Sequence, residues 1–341
     1  MNQTKILVLF GGESSEHEVS VSSARNVVNA LDTAKFAVTI CFIDKTGRWW
    51  LTNEVNPFSE DKTELIPILG AGHFMAGDVT ISPDVILSVL HGVNGEDGAA
   101  AALAQLLHIP IVGCDMTSSA LSMNKFATKL IAGSSGIPIV PFMAHHANDK
   151  PLTYEELSTK LSANLFVKPA NAGSSVGVNK ASNQTELDYA LAEAHKHDIL
   201  VLIEKAIDAR ELEVAVLGNH PDNVASVVGE INPEGDFYSY DSKYADNTQS
   251  KAIIPADIPD DLSDRIRGLA LRIFVTLGCS GLSRVDFFLD RQSGDLYLNE
   301  INTLPGFTDI SMYPKLWQQG GIEYPQLIER LIEFALEKIK E

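Results

Sequence analysis

Ser283-Arg284-Val285-Asp286 and Asn299-Glu300-Ile301-Asn302 flank a turn-forming segment, 290–295. Strand periodicity of two puts Arg284 and Asp286 on one face, and Glu300 and Asn302 on one face. Val285, Phe287, Leu289 and Ile301 interleave with them, so the pair reads as a hairpin whose polar residues line a cavity. Asp, Glu and Asn are hard oxygen donors, suited to magnesium carrying nucleotide phosphates. Register supplies a test. Asp286 and Glu300 share a face only if the turn holds an odd number of residues or the strands carry a bulge. An unbulged two- or four-residue loop would send them to opposite faces. The alternative is an ordinary half-exposed hairpin.

Upstream, Phe166-Val167-Lys168 closes a strand expected over 165–168. It leads into a loop of small residues, 171–177, whose backbone N–H groups can come close to phosphate oxygens. No GxxxxGK[ST] or GxGxxG run occurs, so neither a P-loop nor a plain dinucleotide fold is supported. Lys125 and Lys243, each taken alone, read as solvated lysines. Glu204-Lys205, after an apolar strand expected over 199–203, and Glu211 offer either surface charge or hydrogen bonds to adenine and ribose. Segment 232–248 is polar, aromatic and aperiodic, and a loop that long inside a compact domain reads as a lid.

The N-terminal part reads as open α/β. Residues 6–10 form a buried parallel strand ended by Gly11-Gly12, and Ser22 or Ser23 caps a helix carrying Ala24, Val27, Val28 and Leu31. Runs 85–90 and 109–113 repeat the strand pattern. Residues 13–18 and 91–97 then fall beyond the carboxyl ends of strands, where such sheets bind ligands. A helix is expected from Ser119. Strands over 211–217, 224–231, 282–289 and 296–301, with helices over 260–277 and 324–340, complete the chain.

Composition narrows the function classes. With 26 Lys and Arg against 45 Asp and Glu, the net charge of −19 repels nucleic acid and anionic membrane, so neither is expected as a partner. Anionic substrates would need a local cluster of cations. The three cysteines are scattered and lack neighbouring histidines, which suggests neither a disulfide framework nor a zinc site. No apolar stretch approaches a membrane span or a secretory leader, so a cytoplasmic location is expected.

Several motifs follow one another in order: Gly11-Gly12-Glu13-Ser14-Ser15-Glu16-His17-Glu18-Val19-Ser20, His91-Gly92-Val93-Asn94-Gly95-Glu96-Asp97-Gly98, Met123-Asn124-Lys125, and Lys168-Pro169 with Gly173-Ser174-Ser175-Val176-Gly177. After them come Lys243-Tyr244, Arg284-Val285-Asp286 and Asn299-Glu300-Ile301-Asn302-Thr303-Leu304-Pro305-Gly306. As a set they resemble the D-alanine–D-alanine ligases of the ATP-grasp superfamily, from about Lys5 to the last helix.

The resemblance implies an α/β (α+β) three-domain ATP-grasp fold with an N-terminal open parallel-sheet domain. Its parts would be 1–114, a central subdomain 115–204, and a C-terminal subdomain 205–341 with the lid. It implies that Lys125 and Lys168 bind ATP phosphates, and Glu204, Lys205 and Glu211 the adenosine. Asp286, Glu300 and Asn302 would hold two magnesium or manganese ions, with potassium as a monovalent companion. Glu16 would take the first D-alanine ammonium and form a triad with Ser174 and Tyr244. His91 would line the substrate site, and Ser311 and Lys243 would receive the second D-alanine's carboxylate. Arg284 and the Gly306 N–H would stabilise the tetrahedral oxyanion. Tyr244, where ester-forming relatives carry Phe, favours an amine acceptor, and a homodimer is implied. Three rivals remain: another ATP-grasp ligase, a small-ligand-binding protein and an NAD oxidoreductase. The metal set argues against the second, and the missing glycine fingerprint against the third.

Overall fold

The computed structural model describes residues 3–173, 175–232, 251–308 and 310–338. Ser174, Lys243, Tyr244 and the expected lid from 233 onward, with Lys340 of the last expected helix, lie outside the described residues.

The chain first builds a sheet from β1 (Thr4–Gly11), β2 (Phe36–Ile43), β3 (Trp49–Thr52), β4 (Lys62–Ile68), β5 (His73–Ala76), β6 (Val79–Ile81) and β7 (Val85–Ser88), in the order β6-β5-β4-β3-β2-β1-β7. It is parallel across β2-β1-β7 and continues antiparallel through β3 to β6. Those four short strands carry no clean alternation, and the sequence reading missed them. Run 109–113 contributes only a single parallel bridge, Ile111 beside Ile86. The continuous apolar β1 is buried on both faces: Ile6, Val8 and Phe10 enter one core, Leu7 and Leu9 another.

Helix α1 (His17–Ala30) starts well before the expected Ser22 or Ser23 cap; Glu16 occupies its N-cap position. Of the two expected caps, Ser23 serves a tertiary contact from inside the helix, as Ser20 nearby also does, and Ser22 lies exposed on the helix surface. Ser20 Oγ accepts from the Gly11 N–H (2.9 Å) and donates to the Val89 carbonyl (2.6 Å). Ser23 Oγ meets His91 Nε2 at 2.9 Å. After α2 (Ala99–Leu107), the helix expected from Ser119 is really two. Asp115 caps α3 (Met116–Met123) and Asn124 caps α4 (Lys125–Ser134), each accepting a backbone N–H in its first turn. Ala132 of α4 and Ile137 just after it belong to the core of the C-terminal sheet.

A second sheet combines β8 (Phe142–His146), β9 (Leu165–Pro169), β10 (Asn179–Ala181) and β11 (Leu200–Lys205), in the order β10-β9-β11-β8, with α5 (Tyr154–Lys160) and α6 (Gln184–Ala194). Leu165, Val167, Val201 and Ile203 face those helices in a core of their own. Alternation therefore turns Lys168 and Glu204 to the opposite face.

The third sheet runs β14-β13-β12-β15-β16, from β12 (Ala209–Gly218), β13 (Val224–Asn232), β14 (Lys251–Ile253), β15 (Gly281–Asp290) and β16 (Leu296–Asn302). Helix α7 (Asp260–Thr276) covers one face with Leu212, Val214 and Val216. The other face buries Ala215 and Leu217 with β1, α1, α8 (Met312–Gln319) and α9 (Tyr324–Glu337). The first and third sheets thus share one core. No helix among the described residues is long and apolar enough to cross a membrane.

Candidate active site

The hairpin passes the register test by the route its loop requires. Near the turn, Leu289 pairs with Leu296 and Phe287 with Leu298; beyond a bulge at Asn299, Asp286 pairs with Glu300 and Arg284 with Asn302. The bulge lets Leu298 stay in the core while Glu300, two residues on, turns with Asp286 to the polar face. Arg284 forks onto Asp286, Nε to Oδ1 and Nη2 to Oδ2 both at 2.8 Å, and its Nε lies 3.0 Å from Glu213 Oε2. Asn302 Nδ2 donates to Asp286 Oδ2 at 3.0 Å. Burial would lower the Arg284 pKa, but Asp286 and Glu213 outweigh it and hold the guanidinium well above its ordinary value.

Across a cleft of about 1000 Å³ stand the cations of the central part. Lys125, Lys168, Glu204 and Lys205 line one wall, and Glu211, Glu213, Arg284, Asp286 and Glu300 the other. Lys125 Nζ donates to the Ala172 carbonyl at 2.7 Å and lies 3.6 Å from Glu300 Oε2. Burial pushes its pKa down, with Glu300 opposing. The small-residue loop is tied at its base: Asn171 takes a hydrogen bond from Asn124, and its own N–H and amide both donate to Asp198. Gly177 returns the chain at φ +71, where a Cβ would stand 2.8 Å from the His197 ring and 2.9 Å from Pro169. Both Glu204 oxygens are engaged by lysines: Oε2 by Lys168 at 2.9 Å and Oε1 by Lys129 at 3.0 Å.

The N-terminal sheet closes the third side. Ser14 Oγ accepts from the Glu16 N–H (3.1 Å) and donates to the His91 carbonyl (2.6 Å), joining the two loops beyond the strands. Gly92, at φ +73, leaves room for the carboxylate; a Cβ there would meet Glu16 Oε2 at 2.9 Å. His91 is buried with Nδ1 3.3 Å from the Leu304 carbonyl, so that nitrogen carries the proton and Nε2 accepts from Ser23. Burial lowers the His91 pKa, with Glu16 partly opposing. Glu96 Oε1 lies 3.8 Å from His91 Nδ1, and burial together with the Glu16 charge pushes the Glu96 carboxyl up to about 8. Gly306 packs against Ser311, whose Oγ would be 2.7 Å from a Cβ. That hydroxyl faces back to Thr308, accepting its N–H at 3.1 Å, rather than capping α8.

Two family models cover most of the chain: the D-ala D-ala ligase N-terminus matches residues 5–114 and the D-ala D-ala ligase C-terminus residues 131–333. The chain belongs to the D-alanine–D-alanine ligase family. A D-alanine–D-alanine ligase of Thermoanaerobacter sp. is 43% identical over 100% of this chain and 99% of its own length. Among solved structures, the D-alanine-D-alanine ligase from Coxiella burnetii superposes with a TM-score of 0.89 at 34% identity, covering 100% of this chain and 96% of that one. The VanG D-Ala:D-Ser ligase from Enterococcus faecalis reaches 0.90 at 33%, covering 98% and 100%. With the family comes the ATP-grasp fold.

The donor chemistry of the hairpin suits the divalent metal that family membership implies. Asp286, Glu300 and Asn302 are hard oxygen donors brought onto one face. No group of three or more His, Cys, Asp or Glu among the described residues could hold an ion by itself. A cation there would complete its shell with phosphate oxygens and water, as magnesium does. Three charged residues in the site or just behind it escaped the sequence reading. Glu213 was signalled by its alternation with Glu211 on one strand face, and Glu96 sat inside a quoted motif. Lys129 stands four residues after Lys125 on one helix face.

Proposed function

We propose that this chain joins two D-alanine molecules at the cost of one ATP, giving D-alanyl-D-alanine, ADP and phosphate for peptidoglycan precursors. One observation carries the reading: a cleft with Lys125 and Lys168 on one wall and Arg284, Asp286 and Glu300 on the other, in a chain whose whole length matches this family.

A carboxylate is a poor electrophile, so the first D-alanine must be activated. Its carboxylate attacks the γ-phosphorus of ATP, releasing ADP and leaving an acyl phosphate. The amine of the second D-alanine then attacks the carbonyl, and phosphate departs. Phosphoryl transfer needs in-line placement and charge neutralisation more than covalent help. Lys125 and Lys168 supply fixed positive charge to the phosphates, and Glu204, Lys205 and Glu211 serve the adenosine. Asp286, Glu300 and Asn302 would hold the divalent ions, which neutralise phosphate charge. Glu16 takes the first ammonium, beside His91. Arg284, clamped by Asp286, and the Gly306 N–H stand ready for the tetrahedral oxyanion, a role that geometry held in advance makes effective. Ser311, with Lys243, receives the second carboxylate, and Ser174 and Tyr244 join Glu16 in closing the site.

Family membership also supports magnesium or manganese as the divalent ion, potassium as a monovalent companion, and a homodimer. The three buried free cysteines fit a reducing cytoplasm. The deciding assay is phosphate and ADP release with ATP, magnesium and D-alanine. Release stimulated by D-alanine and by no L-amino acid is expected. Equal stimulation by L-alanine, or none by D-alanine, would overturn the reading.

A further inference from the structure

Lys129 has no role in the mechanism above, yet it is among the largest fully buried side chains in the protein, 1% exposed. It lies one turn after Lys125 on the same face of α4. Lys125 reaches the cleft; Lys129 points deeper and does not line it. Its Nζ sits 3.0 Å from Glu204 Oε1 and 5.6 Å from the centre of the Phe142 ring. The contact with Glu204 is an ion pair by distance without hydrogen-bond alignment, so charge holds it. A lysine buried this way is costly and does nothing for packing that a methionine could not do.

The other Glu204 oxygen pairs with Lys168, which does face the cleft. One carboxylate is therefore strung between two ammonium groups, one behind it and one in front. Two cations and one anion leave this trio with a net charge of +1. Removing Lys129 would leave Glu204 to neutralise Lys168 one for one.

We propose that Lys129 is a positioning residue for ATP, acting through Glu204: it holds the carboxylate back so that Lys168 keeps uncompensated charge toward the phosphates. The inference rests on the ligase reading of the cleft. Burial brings the Lys129 pKa down to about 8, which leaves most of the population charged at neutral pH. Burial alone would push the Glu204 carboxyl up, but Lys168 and Lys129 outweigh it and hold it below its ordinary value. Both groups therefore carry the charges that the proposal needs.

Five variants test it: Lys129→Met, Lys129→Gln, Glu204→Gln, and each Lys129 substitution combined with Glu204→Gln. Magnesium-ATP binding is measured by calorimetry without D-alanine, and steady-state kinetics with it. Both single Lys129 variants should raise the ATP Kd and KM roughly 10-fold, the size of one charge-assisted contact, with kcat at saturating ATP and the D-alanine KM held near native values. In the Glu204→Gln background the same substitutions should change ATP Kd less than about threefold, because the anion they restrain is gone. A native ATP Kd in either folded single variant overturns the proposal. So does an equal loss in both backgrounds, which would mark Lys129 as packing. If the unaltered protein releases no ADP with D-alanine, the ligase reading fails instead, and the calorimetric Kd values still decide the role of Lys129.

Discussion

At the scale of single residues, two charges in the site have opposite fates. Arg284 is held charged by Asp286 and Glu213 and aimed at the cleft. Replacing it with Ala should lower kcat by about 10²–10³, the usual cost of losing one oxyanion donor. Magnesium-ATP should still bind, because the substitution leaves the Asp286 and Glu300 carboxylates in place for the proposed cation; kinetics paired with calorimetry separates the two effects. A near-native kcat would remove Arg284 from the chemistry. Glu96 is the reverse case, a carboxyl pushed up to about 8 by burial and the nearby Glu16. An unfolded Glu titrates at about 4.3, so between there and about 8 the folded state binds more protons than the unfolded one. Stability from this group is full at low pH and lost as pH rises through that window. Thermal melts should show Tm falling from pH 5 to 8.5, and Glu96→Gln, fixed in the neutral form, should flatten that slope. An unchanged slope would mean that Glu96 ionises normally.

At the scale of elements, α1 shows where a local rule was overruled. Serine before an apolar stripe normally marks a helix start, and here the helix begins at His17 with Ser20 and Ser23 inside it. Ser20 satisfies the Gly11 N–H and the Val89 carbonyl, both at the carboxyl ends of strands β1 and β7. Ser20→Ala should therefore destabilise the protein by about 1–3 kcal/mol, less about 0.5 for the better helix former, read as a fall in urea midpoint. A neutral or stabilising result would show that water replaces the hydroxyl. The hairpin was legible in advance for the converse reason. Parity of position is a rigid constraint, and the required bulge appears at Asn299. The strands β3 to β6 were not legible, since they are short and lie partly exposed at one end of their sheet. Lys129 and Glu213 were visible only as spacings; burial and a facing carboxylate give them meaning, and no spacing reports those.

At the scale of the whole molecule, the hydrophobic cores divide differently from the chain. One core joins the first sheet and α1 to β12, α8 and α9, whereas the central sheet forms a separate core with α5 and α6. Tyr313 ties the shared core further, its hydroxyl donating to the Val216 carbonyl at 2.9 Å. The two ends of the sequence should therefore unfold together and the central sheet apart from them. Leu327→Ala, in the shared core, should cost about 2–5 kcal/mol and raise amide exchange in β1 and β12 alike; Leu187→Ala should raise it only in β8 to β11, α5 and α6. Equal loss of protection in β1 on Leu187→Ala would show a single cooperative unit and sink this division. Lys168 and Glu204 belong to the central sheet, whereas Arg284 and Asp286 belong to the other unit, so the cleft lies across the seam and a nucleotide bound as proposed would bridge it. At about 100 times its Kd, magnesium-ATP should return roughly 2.7 kcal/mol to whichever unit the substitution has weakened, because only the assembled seam binds it. Rescue of exchange in Leu187→Ala by ATP, with none by adenosine, would tie that linkage to the phosphates.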